Sequence, residues 1–334
     1  MKTSLKIALC LIACLACLLL AVGLGSVRIS PAEIVQIFAG KLTGVKASIL
    51  LSIRLPRLTM AFLTGAALAV SGTVMQSVLR NPLASSYTLG VSSGASLCAA
   101  IVILTGLSVP LIGAYTLPLM GFLGGLGTVL FAMGITRRLD GSMENQTIIL
   151  TGMVISLFVS AMLTVLTSLS AEHLKEIIFW QMGSFAGQKF SNCLLLAPVV
   201  AIGILVLSLH AREMDLMTFG EEQALSAGVD LKREKILLIG LATLLTGTAV
   251  PFVGVIGFID LIAPHVVRRI FGSRHALAIP MSALFGGGFM AIADLLSRTI
   301  LTPHELPVGA VTALIGAPFF AYVFFHRRKG AAKC

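Results

Sequence analysis

The chain has 334 residues, of which 57% are hydrophobic and only 11% charged, and its mean hydropathy is +1.00. That balance excludes a water-soluble globule for most of its length. The formal charge of +10, from 24 Lys and Arg against 14 Asp and Glu, reads as membrane topology and carries no argument for nucleic acid. Apolar runs of about 20 residues recur, and the alternating, weakly apolar strands of an outer-membrane barrel do not, so the spanning elements are helices.

The predicted elements begin with a span at about 5–25. Within it, Leu11-Ile12-Ala13-Cys14 resembles a lipoprotein cleavage box, but apolar sequence continues from Leu15 to Leu24 and favours an uncleaved span. Residues 27–57 follow on the outer side, opening as a short amphipathic helix after Ser30-Pro31. The second and third spans, about 57–79 and 87–106, are separated by Arg80-Asn81-Pro82-Leu83, a helix break. Spans at about 115–136 and 146–169 come next. Glycines such as Gly65, Gly72, Gly90, Gly94, Gly121, Gly125 and Gly286–Gly288 fit close helix packing. Between the fifth and sixth spans, residues 177–182 are apolar but too short to cross, with the sole tryptophan, Trp180, at interfacial position; this stretch is expected to re-enter from the outer face.

The sixth span, about 191–210, leads into a charged island at 211–235. There Thr218 and Glu221 have the form of a capping box and Gly228 of a helix stop, predicting a short helix over 219–227. A helix of about nine residues is marginal in water and needs a surface to dock on. The remaining spans fall at about 235–251, 254–270, 276–297 and 306–325, ten in all. The eighth is short, and the stretch 251–271 around it combines two prolines, Pro251 and Pro264, with Asp260 and His265; broken helices of this kind often surround a transport route.

Basic residues orient the bundle. With the N-terminus in the cytoplasm, Lys6, Arg137, Arg138, Arg212, Lys232, Arg233, Lys235, Arg268, Arg269 and Arg274 all lie inside, and both termini and the charged island face the cytoplasm. Arg54, Arg57 and Arg298 then stand on the outer side against this tendency. Two readings compete: the three snorkel to lipid phosphates, or they form a cationic rim that receives acidic side chains of a soluble partner. Asp294 and Arg298, four apart, predict an intrahelical ion pair.

Six cysteines, at positions 10, 14, 17, 98, 193 and 334, show no metal or haem-attachment spacing and predict no disulfide framework. No Gly-x-x-x-x-Gly-Lys-Ser/Thr loop occurs, so ATP hydrolysis, if it drives transport, belongs to another chain. Asp260 and His265 are five apart, poorly placed for two ligands on one helical face, and no resident metal or catalytic residue is expected. A charged, unpaired Asp260 in the bilayer would cost about 3 kcal/mol, so it needs a partner, water or a proton. That keeps open an alternative, a proton-coupled secondary transporter using Asp260.

Four blocks in order carry a resemblance over nearly the whole chain: RLPRLTMAFLTGAALAVSGTVMQSVLRNPLASSYTLGVSSGA (54–95), FGEEQALSAGVD (219–230), GFIDLIAPHVVRRIFG (257–272) and ELPVGAVTALIGAPFF (305–320). Together they resemble the iron-chelate, haem and vitamin B12 permeases of bacterial ABC importers, the FecCD family. The resemblance implies an all-α, polytopic bundle of about ten transmembrane helices, like the vitamin B12 permease, as a single permease domain over 1–334. It implies pairing with an identical or paralogous permease, two cytoplasmic ATPase subunits that use ATP and Mg, and a periplasmic or lipid-anchored binding protein. Coupling to the ATPase falls on Phe219, Gly220, Glu221, Glu222, Gln223, Ala224, Leu225, Ala227 and Gly228. Docking of the binding protein falls on Arg54, Arg57 and Arg298, and a translocation gate on Glu144, Asn145 and Gln146. The chain is then expected in the inner membrane, moving a metal chelate, iron-siderophore first and haem or cobalamin next, and binding no cofactor itself. Asp260 departs from the small uncharged residue usual at that place in the family, and Asp260→Gly is expected to be tolerated.

Overall fold

Helices account for the observed architecture. In the computed structural model they run in order as α1 (Thr3–Gly23), α2 (Pro31–Phe38), α3 (Val45–Ser48), α4 (Leu55–Val78), α5 (Val91–Thr105), α6 (Thr116–Leu139), α7 (Asn145–Ser168) and α8 (Leu174–Met182). Then come α9 (Phe190–Leu209), α10 (Ala211–Phe219), α11 (Glu221–Ser226), α12 (Leu231–Val253), α13 (Ile259–Phe271), α14 (His275–Ser297) and α15 (Val308–Ala331). A π-helical stretch, Ile49–Arg54, joins α3 to α4 without a break. The structure describes residues 3–25, 27–169 and 172–331, with side chains as far as 322; Cys334 and both chain ends lie outside the described residues.

Among the described residues, seven helices are long and apolar enough to cross a membrane, and two shorter apolar ones, Val91–Thr105 and Val308–Tyr322, accompany them. The eighth predicted span differs. Its helix, α13, has 13 residues, a rise of about 20 Å against the ~30 Å of hydrocarbon. The chain from Gly254 to Phe258 ahead of it is not helical, with positive φ at Gly254 and at Phe258. Irregular backbone at this depth must be covered by protein. Here Ser184 N–H donates to Val253 O at 2.8 Å, Gln188 Nε2 to Phe252 O at 2.7 Å and Tyr87 Oη to Ile256 O at 2.9 Å. The apolar stretch 177–182 forms the C-terminal part of α8, and a Cβ on Gly254 would lie 2.1 Å from Trp180 O.

The core is built on α4, buried almost from end to end and packed against α9, α12, α13 and α14. Small residues make this possible, because without a Cβ two backbones can touch. A Cβ on Gly65 would lie 2.2 Å from Gly286 O and one on Gly72 would lie 1.9 Å from Asp260 O, while Gly94 and Gly124 bring α5 and α6 together in the same way. The close-packing reading of the glycines therefore describes the structure at these positions. In contrast α7 buries only Ile148, Gly152, Ile155 and Leu163, leaving an apolar face turned outward.

Local signals match their elements. Ser30 and Glu33 close a capping box on α2, with Pro31 in its first turn. The Lys46 ammonium, 2.5 Å from Glu33, and the Ser30 N–H hold the Glu33 carboxyl down at about 2. Asn81 Oδ1 accepts from Leu83 N–H at 2.9 Å in the predicted break. One local prediction fails. Thr218 is not a cap: it lies inside α10, and its hydroxyl donates to Asp215 O at 2.6 Å. The helix predicted over 219–227 is split by Gly220, whose φ of 148° breaks α10 from α11, whereas Gly228, φ 86°, does end α11.

Candidate functional site

Two charged clusters sit at opposite ends of the bundle. Lys6 donates to Ile270 O at the C-terminal end of α13, while the last turn of α1 meets Arg54 and Arg298. The start of α1 therefore lies at the end that carries the start of α14, and the close of α1 lies with the close of α14.

At the latter end, Arg54, Arg57 and Arg298 line one cavity of about 420 Å³ together with Thr302, Pro303 and Glu305. Arg54 and Arg57 are 5% and 7% exposed, too buried to snorkel to lipid, and most of their polar contacts are made within the chain. Arg54 donates to Val22 O at 2.8 Å and Gly23 O at 3.3 Å, and also to Val27 O; Arg298 donates to Ala21 O. These carbonyls belong to the last turn of α1 and the chain just beyond, where a helix leaves acceptors unsatisfied. Arg57 Nε bonds both carboxylate oxygens of Asp294, at 2.8 and 3.1 Å, and its Nη1 donates to Glu305 at 2.9 Å. The expected Asp294–Arg298 pair is present at 3.6 Å, but it is the longer of the two contacts that Asp294 makes. With two carboxylates among three guanidinium groups, this cluster keeps one positive charge in excess, and Arg57 Nη2 has no partner.

The other end holds the charged island. Ala224 of α11 is buried, whereas Phe219 and Leu225 are 75% and 57% exposed. Glu222 and Gln223 are exposed as well. Glu221 turns inward and accepts from Lys235 Nζ at 2.7 Å; the same ammonium donates to Met143 O at 2.9 Å. Lys235, read from the sequence as one of the charges of the island, is 1% exposed. The signal was available: Leu231, Lys235, Leu238, Ile239 and Ala242 follow a four-three-one-three spacing, and all five form the buried stripe of α12. Asp215 of α10 was missed similarly. It accepts from His275 Nδ1 at 2.5 Å and from His275 N–H at 3.0 Å, and His275 Nε2 lies 2.6 Å from Ser77 Oγ on α4.

Glu144, Asn145 and Gln146 begin α7 at this same end. Glu144 and Gln146 are exposed, and Asn145 Oδ1 is buried without a partner. Asp140 organises the turn before them, accepting from Ser142 and from Glu144 N–H; the Ser142 hydroxyl foremost, then the Glu144 amide, hold its carboxyl below the ordinary range.

The model of the FecCD transport family matches residues 12–326. The chain belongs to the FecCD transport family. This FecCD permease is 39% identical over 276 residues, 83% of its own length and 73% of the relative's, to the cobalamin import system permease protein BtuC of Halobacterium salinarum. It is 37% identical, over 84% of each chain, to the hemin transport system permease protein HmuU of Yersinia pestis. Among solved structures it superposes on a metal-chelate type ABC transporter in an inward-facing conformation with a TM-score of 0.87, at 28% identity, covering 97% of this chain and all of that one. The chain is thus a permease subunit of an ABC transporter, a multi-pass membrane protein whose kind works with a separate ATPase and a binding protein.

Asp260 is the one buried acid of this FecCD permease without a cationic partner among the described residues. It stands in the first turn of α13, where the helix N-terminus favours negative charge. One oxygen accepts from the Ser85 hydroxyl and the other has no partner. Asparagine keeps the Ser85 contact and removes a buried charge. Asp260→Asn is therefore expected to accumulate normally and to support uptake within about twofold of the parent. Full-length protein that is folded but inactive would instead assign the acid a role in transport, as a proton-coupled route requires.

Proposed function

We propose that this chain is the membrane-spanning half of a bacterial importer that takes a metal chelate from a binding protein and releases it to the cytoplasm, iron-siderophore first and haem or cobalamin next. It would do so as a single permease domain, 1–334, in the inner membrane, paired with a second copy or a paralogue. Both termini and α10–α11 would face the cytoplasm. The observation that carries this reading is the face of α11 with the end of α10: Phe219, Glu222 and Leu225 are exposed there, on short elements that the buried Ala224 and the Glu221–Lys235 contact help to hold on the permease. Exposed aromatic and aliphatic groups on a small, fixed element suit a groove in a partner ATPase. On this reading, ATP and Mg are used by two such ATPase subunits, and their closure moves α10–α11 and switches access.

At the other end, Arg54, Arg57 and Arg298 would meet acidic side chains of a periplasmic or lipid-anchored binding protein. The excess positive charge and the unpartnered Arg57 Nη2 support this, since they leave a donor for an incoming carboxylate. Glu144, Asn145 and Gln146 would form the inner gate. The relatives named for hemin and for cobalamin support the chelate class.

The test is uptake of labelled iron-siderophore, haem and cobalamin by cells with and without this chain, repeated after ATP depletion with the proton gradient intact. Loss of one chelate, dependent on ATP, is the expected result. Uptake that persists without ATP and collapses with the gradient would overturn the reading.

A further inference from the structure

Lys235 joins two segments that the chain keeps 78 residues apart, Met143 and Glu221. Its ammonium is held between the carboxylate of the first residue of α11, at 2.7 Å, and the carbonyl of Met143, at 2.9 Å. An ammonium offers only point-like donors on a flexible stem, yet this one is 1% exposed, so it is fixed by the walls around it and has no water to exchange with. Met143 is itself unusual. Its φ is 57°, a left-handed conformation that a residue with a Cβ adopts only when its surroundings hold it there, and its side chain is 1% exposed. The next residue, Glu144, is the N-cap of α7. A displacement of α11 therefore reaches the first turn of α7 through one buried side chain and one strained peptide.

We propose that Lys235 is the positioning residue that couples α11 to the α6–α7 turn, so that movement of the ATPase-facing element is felt at the start of α7. This deepens the coupling and gate reading given above and rests on it for its meaning in transport. The physical link can be tested by itself. Asp140 also organises the turn, its carboxylate accepting from Ser142 and Glu144 and its carbonyl from Met143 N–H, contacts that are local to the turn.

The decisive experiment is amide hydrogen exchange on the full chain in detergent or nanodiscs, with Glu221→Gln, Lys235→Met and their combination. Glu221→Gln alters α11 only, and it is expected to raise exchange in 141–146 by about tenfold, mid-range for directly bonded neighbours, with no further rise when added to Lys235→Met. Lys235→Arg, which keeps the charge, should restore most of the protection. If Glu221→Gln changes exchange in 220–228 and leaves 141–146 as in the parent, the proposal is overturned. Should Lys235→Met fail to accumulate, that single-variant comparison still decides.

Transport separates this proposal from the reading beneath it. In the complex with its ATPase, Lys235→Met should lower the chelate moved per ATP hydrolysed, and Lys235→Arg should recover it. Phe219→Glu with Leu225→Glu should instead abolish ATPase binding. Normal ATPase binding by that last pair removes the coupling-surface reading while leaving the exchange result, and thus the link, intact. An unchanged transport ratio in Lys235→Met, with the ATPase bound, overturns the role of Lys235 in coupling.

Discussion

Arg57→Met is expected to destabilise the folded permease by about 3–5 kcal/mol, because it leaves the Asp294 carboxylate buried with its principal counter-charge gone. Asp294 is 2% exposed, and the guanidinium of Arg298, at 3.6 Å, is too distant to replace two bonds at 2.8 and 3.1 Å. Most of that loss should return in Arg57→Met with Asp294→Leu, since exchanging both partners for apolar groups of similar size removes the desolvation cost along with the attraction. Glu305, whose side chain is 43% exposed, contributes little by comparison. Unfolding titrations of the purified protein in mixed micelles measure both variants. An Arg57→Met protein within about 1 kcal/mol of the parent would mean that water reaches the pair. The double variant also separates folding from docking: it leaves the cluster's net charge unchanged while deleting the unpartnered Nη2 offered to the binding protein. Weakened association of that folded protein would then be assigned to Arg57 itself.

The second large effect belongs to Gly72. A Cβ there would lie 1.9 Å from the carbonyl oxygen of Asp260 and 2.5 Å from its carbon, and these are backbone atoms that no rotamer change can remove. Gly72→Ala should therefore push α13 away from α4, at a cost above the usual 1–3 kcal/mol of overpacking, roughly 3 kcal/mol or more. The control is Gly134→Ala in α6, where a Cβ meets nothing within 4 Å and helix propensity alone predicts a gain of about 0.5–1 kcal/mol. Thermal unfolding monitored in the membrane fraction compares the two. Equal melting of both variants would contradict the observed approach of α13 to α4. Because that approach also sets where Asp260 and the irregular stretch ahead of α13 lie, the displaced variant should lose transport before it loses all structure.

How far the sequence leads depends on the distance over which each feature is decided. The membrane class follows from composition, and most spans from runs of apolar residues, since each such run must satisfy its own backbone as a helix. The Ser30–Glu33 cap, the break at Asn81 and the stop at Gly228 are settled within a few residues, so their chemistry is visible in the order of letters. Thr218 marks the limit even of that rule: its spacing suited a cap, and a glycine two residues on broke the helix instead.

Charged side chains depend on what lies across the interface. Asp294 has a basic residue four positions away, but its closer partner is Arg57, 237 positions distant, because packing of α14 against α4 brings the two together in a place with no competing water. Lys235 stands in the sequence as one charge among many in the island; the stripe it shares with Leu231 and Leu238 was legible, but not that Met143 and Glu221 would meet its ammonium there. Composition and local chemistry determined by themselves that this is a bundle of membrane helices with charged segments at its ends. Only the tertiary structure decided which charges are paired and buried, because the free energy of an ion in an apolar interior is set by the groups that other helices bring to it.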